Sequence, residues 1–223
     1  MLLLRAQHKG QAIIILALLY LTIILQLTLI IPKTKMENQE IKSHIQLINL
    51  IIKRCIESSL SWASLGGNFT EYLQWSLNQI MSEYSIIIEP INYTTIIREG
   101  KSTTQVKLSI TDFKYNVHYA KIYNSTLTMK LINLETSNYA SIPILKSIKI
   151  TVKIENESGP ITNKLNFTLT YNENGEWKNA LIKVNQIDQG IYLISTQIPK
   201  SSNQIKLIVG DWREIITWIK IEI

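Results

Sequence analysis

The chain has 223 residues, a formal charge of +6, a hydrophobic content of 46% and a single cysteine, Cys55. One cysteine excludes an intramolecular disulfide. The lysines of the middle of the chain, Lys107, Lys114, Lys121 and Lys130, are spread along apparent strands without interleaved aromatics, the pattern of a solvated sheet face and not of a nucleic-acid surface.

The first predicted element is apolar. From Ala12 to Ile31 no residue carries a formal charge, and Thr22, Gln26 and Thr28 are its clearly polar members. A helix of that length spans roughly 30 Å, the thickness of a bilayer's hydrocarbon core, and a single closed helix satisfies its own backbone there. Arg5 and Lys9 precede the run, whereas Glu37 and Glu40 soon offset Lys33 and Lys35 beyond it. The positive-inside rule then puts the N-terminus in the cytoplasm and the remaining body outside, in a single-pass arrangement with the lipid bilayer as first partner. The far end, Leu29–Lys35, lacks the small-residue pattern of a cleaved secretory signal.

The junction Lys9-Gly10-Gln11-Ala12 followed by this aliphatic helix resembles the class III, type IV pilin-like signal sequences of archaeal surface proteins, and more loosely TadE-like pseudopilins. The resemblance implies a leader over 1–10, cleavage between Gly10 and Gln11, and retention of the transmembrane helix over 11–31. It covers about 25 residues. The chain departs from it at Leu2–Leu4, where basic residues are expected, and at Ile15, where bacterial pilins carry glutamate. The alternative is an uncut anchor.

Two amphipathic helices follow over 36–83. Ile41, Ile45, Ile48, Ile52, Cys55, Ser59 and Ala63 recur in steps of three and four, which predicts a helix with Cys55 as a small buried hydrophobe. Gly66-Gly67 breaks it, and Asn68-Phe69-Thr70-Glu71 has the form of a new helix start, with Asn68 as cap. Residues 84–140 then read as short strands: Ile86–Ile88, Tyr93–Arg98, Thr104–Ile110, Phe113–Tyr123 and Thr126–Leu134, separated by Pro90, Glu99-Gly100, Asp112 and Asn124-Ser125. Tyr139–Pro143 has the composition of a linker.

Over 141–223 the alternation is clearest. Ile148, Ile150, Val152 and Ile154 interleave with Lys149, Thr151 and Lys153, and Leu165, Phe167, Leu169 and Tyr171 repeat the period. Asn174-Gly175 is a hairpin turn. The module counts about seven strands, as a β-sandwich would. Its stretch Asp188-Gln189-Gly190-Ile191-Tyr192 resembles the D-x-G-x-Y of immunoglobulin-like domains. That resemblance implies a tyrosine hydroxyl closing a corner, with Asp188, Gly190 and Tyr192 as its structural motif. Ile194 stands where the second cysteine would fall.

Signals for chemistry are sparse. His8, His44 and His118 have no metal-spaced partner, and no nucleophile elbow, phosphate loop or dinucleotide fingerprint occurs. Asp112, Asp188 and Asp211 read as turn residues, and Glu155/Glu157 and Glu173/Glu176 as turn-solvating acids. Asn172-Glu173-Asn174 lacks calcium-loop spacing. Five N-x-S/T sequons, at Asn68, Asn92, Asn124, Asn156 and Asn166, fit an exported glycoprotein, with Asn124 and Asn156 expected in turns. Trp212 is expected to pack over the sandwich edge.

The expectation is an α+β protein: a transmembrane helix, a short helical neck and a mostly antiparallel β body ending in an immunoglobulin-like β-sandwich. It is expected to serve as a non-enzymatic cell-surface structural protein, with no cofactor, no metal and no nucleic acid. Its partners would be other copies of itself or other envelope proteins. An anchored envelope-binding module, resembling the archaellum stator or binding carbohydrate, is the alternative, and an anchored hydrolase a third reading.

Overall fold

A computed structural model of the chain describes residues 38–138, 144–162 and 164–223. The leader, the pair Gly10/Gln11, the apolar run over 11–31 and the linker Tyr139–Pro143 lie outside the described residues. The chain divides into two units between Leu50 and Ile51, inside the first helix. Among the described residues of the first unit are 38–50, the opening turns of that helix. No helix among the described residues is long and apolar enough to cross a membrane.

Helix α1 covers residues 38–64. Its buried row is Ile48, Ile52, Ile56 and Leu60, spaced by four, with Ser59 and Ala63 alongside. Cys55 is not in that row: it is half-buried, and Ile56, one residue and about 100° further round the helix, takes the core position. The helix ends where the Gly67 N–H donates to the Trp62 carbonyl at 3.0 Å. The Trp62 ring lies on Gly67, in the space that a β-carbon would occupy. Asn68 then caps α2 (Phe69–Tyr84), its Oδ1 accepting the N–H groups of Thr70 and Glu71 at 3.0 and 3.3 Å.

The body is mostly antiparallel β structure. Strands β1 (Ile86–Arg98), β2 (Lys101–Asp112), β3 (Val117–Asn138), β4 (Leu145–Asn156), β5 (Gly159–Pro160), β8 (Ile182–Asp188) and β9 (Ile191–Pro199) form a seven-stranded sheet. Its order is β1-β2-β3-β4-β9-β8, with β5 beside β4. A second sheet, in the order β11-β10-β6-β7, contains β6 (Asn166–Glu173), β7 (Glu176–Asn179), β10 (Gln204–Gly210) and β11 (Ile216–Glu222). The alternating residues Ile148, Ile150, Val152 and Ile154 are fully buried, as are Ile194, Ile198, Ile205, Leu207 and Val209. The Phe167 ring of the smaller sheet meets the Tyr192 ring of the larger at 5.2 Å between centroids. The architecture is sandwich-like.

Of the sequence breaks of the middle region, Glu99-Gly100 and Asp112 do end strands, whereas Pro90 and Asn124-Ser125 are not breaks in the fold. Pro90 sits at a bulge between Pro90 and Asn92, so Ile86–Ile88 and Tyr93–Arg98 belong to one strand. Asn124-Ser125 is no turn: it lies inside β3, which runs unbroken for 22 residues. Where Phe113 was expected to open a strand, residues 113–116 turn instead, with Asp112 Oδ1 accepting the Tyr115 N–H at 3.2 Å. The first half of β3 pairs with β2, from Val117↔Asp112 to Thr128↔Lys101, and the second half pairs with β4, from Leu127↔Asn156 to Asn138↔Lys146. Strands from 84–140 and from 141–223 therefore share one sheet.

The outer edge of β11 is closed by groups from elsewhere. Gly100 N–H donates to the Trp218 carbonyl (2.7 Å) and Ser102 Oγ to the Ile216 carbonyl (2.5 Å). Glu99 Oε1 accepts the Lys220 N–H (2.6 Å), and Ser64 Oγ accepts the Ile216 N–H (3.0 Å).

Candidate functional site

The densest polar assembly is built on the turn between β10 and β11. Asp211 closes that turn with its side chain, Oδ1 accepting the N–H groups of Arg213 (2.9 Å) and Ile215 (3.3 Å). Its Oδ2 takes Arg213 Nε at 2.7 Å and Nη2 at 2.6 Å, a two-pronged pair. The other donors of Arg213 go to Glu157 (2.7 and 2.9 Å), Ser125 Oγ (3.1 Å) and the Thr126 carbonyl (3.0 Å), with Glu57 of α1 at 3.4 Å. Lys53 lies 3.8 Å from both Glu57 and Glu157. The Arg213 side chain is 6% exposed and that of Asp211 is fully buried.

This geometry decides what the cluster can do. Arg213 has its fork engaged on every side, so no donors remain to receive an anionic ligand. Burial pushes the Glu157 carboxyl up, but hydrogen bonds from Arg213 and from backbone N–H groups, Thr126 among them, hold it below the usual carboxylate range. A carboxylate held ionised in this way does not donate protons near neutrality. The cluster is a clasp joining α1, β3, the β4–β5 turn and the β10–β11 turn.

Of the other acids seen in the sequence, Glu155 and Glu173 are also engaged. Glu155 pairs with Lys153 at 2.7 Å, and Glu173 with Lys178 at 2.8 Å. Asn172 Oδ1 accepts the Gly175 N–H in the hairpin turn. Among the described residues no group of three or more His, Cys, Asp or Glu is placed to hold a metal ion. His118 is exposed, with Nδ1 2.9 Å from Thr111 Oγ1.

A second place has the character of a surface site. Between α1 and α2 runs a shallow groove of about 350 Å³, lined among others by Arg54, Cys55, Tyr72, Trp75, Gln79 and Glu83. Burial pushes the Cys55 thiol up, away from reactivity. Beside the groove Trp62, Tyr72 and Trp75 form a ladder, with centroids 6.1 Å apart at 28° and then 5.6 Å apart at 56°. The two tryptophans are 50% and 58% exposed.

The sequons are spread over the body. Asn68 and Asn156 use Oδ1 as acceptor, from the α2 N-terminus and from the Ser158 N–H (2.8 Å). Asn124 accepts from Gln105 Nε2 at 3.0 Å in the middle of β3, a strand position where a turn was expected. Asn92 is exposed in β1, and Asn166 opens β6 exposed. In the D-x-G-x-Y stretch, the Tyr192 hydroxyl donates to the Ile161 carbonyl at 2.8 Å. Gly190 has φ +67 and lies so close to Pro160 that a β-carbon would meet the proline at 2.7 Å. Trp212 is 55% exposed and carries the Arg213 guanidinium over its ring at 5.2 Å.

Comparison with family models, with characterised proteins and with solved structures finds no match for this chain.

The sequence marks Asp211 as a turn residue, as it is, and Glu157 as a turn-solvating acid, but gives Arg213 and Glu57 no role. Their partners lie 56 and 156 positions apart along the chain. The one local signal is Asp211-x-Arg213, an acid and a base two residues apart in a tight turn.

Proposed function

We propose that the chain is a non-enzymatic, membrane-anchored structural protein of the cell surface, carried on the apolar helix over 11–31 with its β body outside. The observation that carries this reading is the twenty-residue uncharged run Ala12–Ile31 joined to a body whose densest polar cluster is closed upon itself. In the pilin-like form of the reading, cleavage falls between Gly10 and Gln11 and the apolar helices bundle in a filament or envelope assembly. The sequons at Asn68, Asn92, Asn124, Asn156 and Asn166 would then carry sugar.

An immunoglobulin-like assignment of the body is supported by strand order. The run β3-β4-β9-β8 facing β11-β10-β6-β7 corresponds to A-B-E-D facing G-F-C-C′. In immunoglobulin domains the corner tyrosine opens strand F. Under this correspondence Tyr192 opens strand E, so its hydroxyl ties a different corner, the one at Ile161.

The test is intact mass and N-terminal sequence of the protein from its native membrane. A chain beginning at Gln11 with added sugar mass supports the pilin-like route. A chain beginning at Met1 without sugar sinks it.

The second reading, an anchored envelope-binding module, is favoured by the exposed ladder Trp62–Tyr72–Trp75 beside polar Arg54, Gln79 and Glu83. Aromatic faces flanked by planar hydrogen-bonding groups suit saccharide rings.

A further inference from the structure

We propose that the free edge of β1 is an interface for a second copy of this chain, the two β1 strands pairing antiparallel about a two-fold axis at Thr95. An edge strand offers unpaired N–H and C=O groups, and folded proteins close such edges by shortening, bulging, charging or covering them. This molecule does so elsewhere. Four bonds from Ser64, Glu99, Gly100 and Ser102 cover β11, and β7 has only four residues. A bulge between Gln186 and Asp188 interrupts β8. Where β4 ends opposite β3, Glu157 and Arg213 take over the backbone of Thr126.

Strand β1 has a stretch that none of these devices closes. It is 13 residues long, and its charged residues are Glu89 and Arg98. Its first half is shielded: Met81 Sδ accepts the Ile88 N–H at 3.2 Å, and Pro90 has no N–H to offer. Its second half is open. The two-residue turn Glu99-Gly100 closes the hairpin on the pair Arg98↔Lys101. Counting back by the antiparallel alternation, the N–H and C=O of Tyr93, Thr95 and Ile97 face away from β2. Among the described residues these groups have no backbone or side-chain partner. Of its five side chains, the large ones, Tyr93, Ile96 and Ile97, are 39%, 37% and 37% exposed, although the Tyr93 ring rests against Phe69 of α2 at 5.9 Å between centroids.

The stretch is complementary to itself. With Thr95 opposite Thr95 of the second copy, Tyr93 lies opposite Ile97 and Thr94 opposite Ile96, while Asn92 lies opposite Arg98. Each outward-facing residue then exchanges both backbone bonds with its opposite, about six in all. Aromatic-on-aliphatic pairs form on one face and no like charges meet. The two-fold operation uses the same patch on both copies, so the contact closes at a dimer. A second copy is thus a better occupant than an unrelated strand, because this register leaves none of Tyr93, Ile96 and Ile97 without an opposite. The pairing does not depend on anchoring or on leader cleavage.

The experiment uses the full-length chain in detergent with Cys55→Ala as background. Thr95→Cys on that background should form an interchain disulfide under mild oxidation, because opposed α-carbons at the dyad lie within disulfide reach. Lys183→Cys on β8 should not. By light scattering the parent should show a dimer mass. Thr95→Pro removes the outward-facing N–H together with the 2.9 Å bond between Thr95 Oγ1 and Thr104 Oγ1. It should raise the dimer dissociation constant at least tenfold with the circular dichroism unchanged, whereas Thr95→Val, which loses that side-chain bond alone, should leave the dimer mass as it was. A monomeric parent, a Thr95→Cys chain that stays uncrosslinked, or a folded Thr95→Pro chain with undiminished dimer mass would each overturn the proposal.

Discussion

Glu157 and Arg213 together hold both backbone groups of Thr126: the carboxylate accepts its N–H at 3.1 Å and the guanidinium donates to its carbonyl at 3.0 Å. The β3–β4 ladder stops at the pair Leu127↔Asn156, and the ion pair supplies the next rung from side chains. Arg213 is buried beside the fully buried Asp211. Removing it as Arg213→Met strands that charge, and the expected loss is about 3–5 kcal/mol of unfolding free energy. Urea unfolding of the two chains measures it. A loss below about 1 kcal/mol would mean that the cluster is solvated rather than a clasp.

The same carboxylate makes stability pH-dependent. Its folded pKa lies below the unfolded value, so its contribution is fully present above the ordinary glutamate pKa of about 4.3 and is lost as pH falls through the lower, folded value. Glu157→Gln should flatten the acid limb of a melting-temperature profile while changing the profile near neutrality by a constant offset. An unchanged acid limb would remove Glu157 from the account.

Tyr192→Phe deletes the hydroxyl that satisfies the Ile161 carbonyl, in a place where Ile161 is 4% exposed. The expected cost is about 1–3 kcal/mol, because the acceptor stays buried without a partner. Gly190→Ala should be worse than most glycine substitutions, since it combines a positive φ with a β-carbon held against Pro160 and the Ile154 carbonyl. Thermal melts of both variants decide whether this corner is a strong point of the body.

Thr217 is the opposite case. It is fully buried and its hydroxyl has no hydrogen-bond partner among the described residues. Thr217→Val keeps the shape and removes an unsatisfied group, so stability should rise by about 1 kcal/mol. A fall of that size would show that the hydroxyl has a partner in solution, such as an ordered water.

Trp75→Ala separates the two functional readings. The ring is 58% exposed, so its removal should change stability by no more than about 0.5 kcal/mol. If the helical groove grips an envelope saccharide, retention of the protein on isolated cell envelopes should drop; if the protein is a filament subunit, retention should be unaffected.

The legible parts of the fold were those written in local periods. The Ile148–Ile154 alternation predicted a strand with one buried face, and Asn68 with Glu71 predicted the start of α2. The continuity of β3 was not legible, because Asn124-Ser125 carries turn residues. Both are satisfied sideways, Asn124 by Gln105 on the neighbouring strand and Ser125 by Arg213 from 88 positions away. The clasp itself was hidden for the same reason: it is assembled from four segments, none of which declares the others. Pro90 misled in a simpler way, since a bulge on an edge strand tolerates it.

The long strand β3 has a mechanical consequence. A flexible joint needs a stretch of chain released from its neighbours on both sides. In β3 the ladder to β2 ends at Thr128 and the ladder to β4 begins at Leu127, so the two overlap and leave no released stretch. Tension along β3 loads rungs on both sides in shear, so the β1–β2 hairpin and the sheet beyond β4 resist stretching as one stiff member.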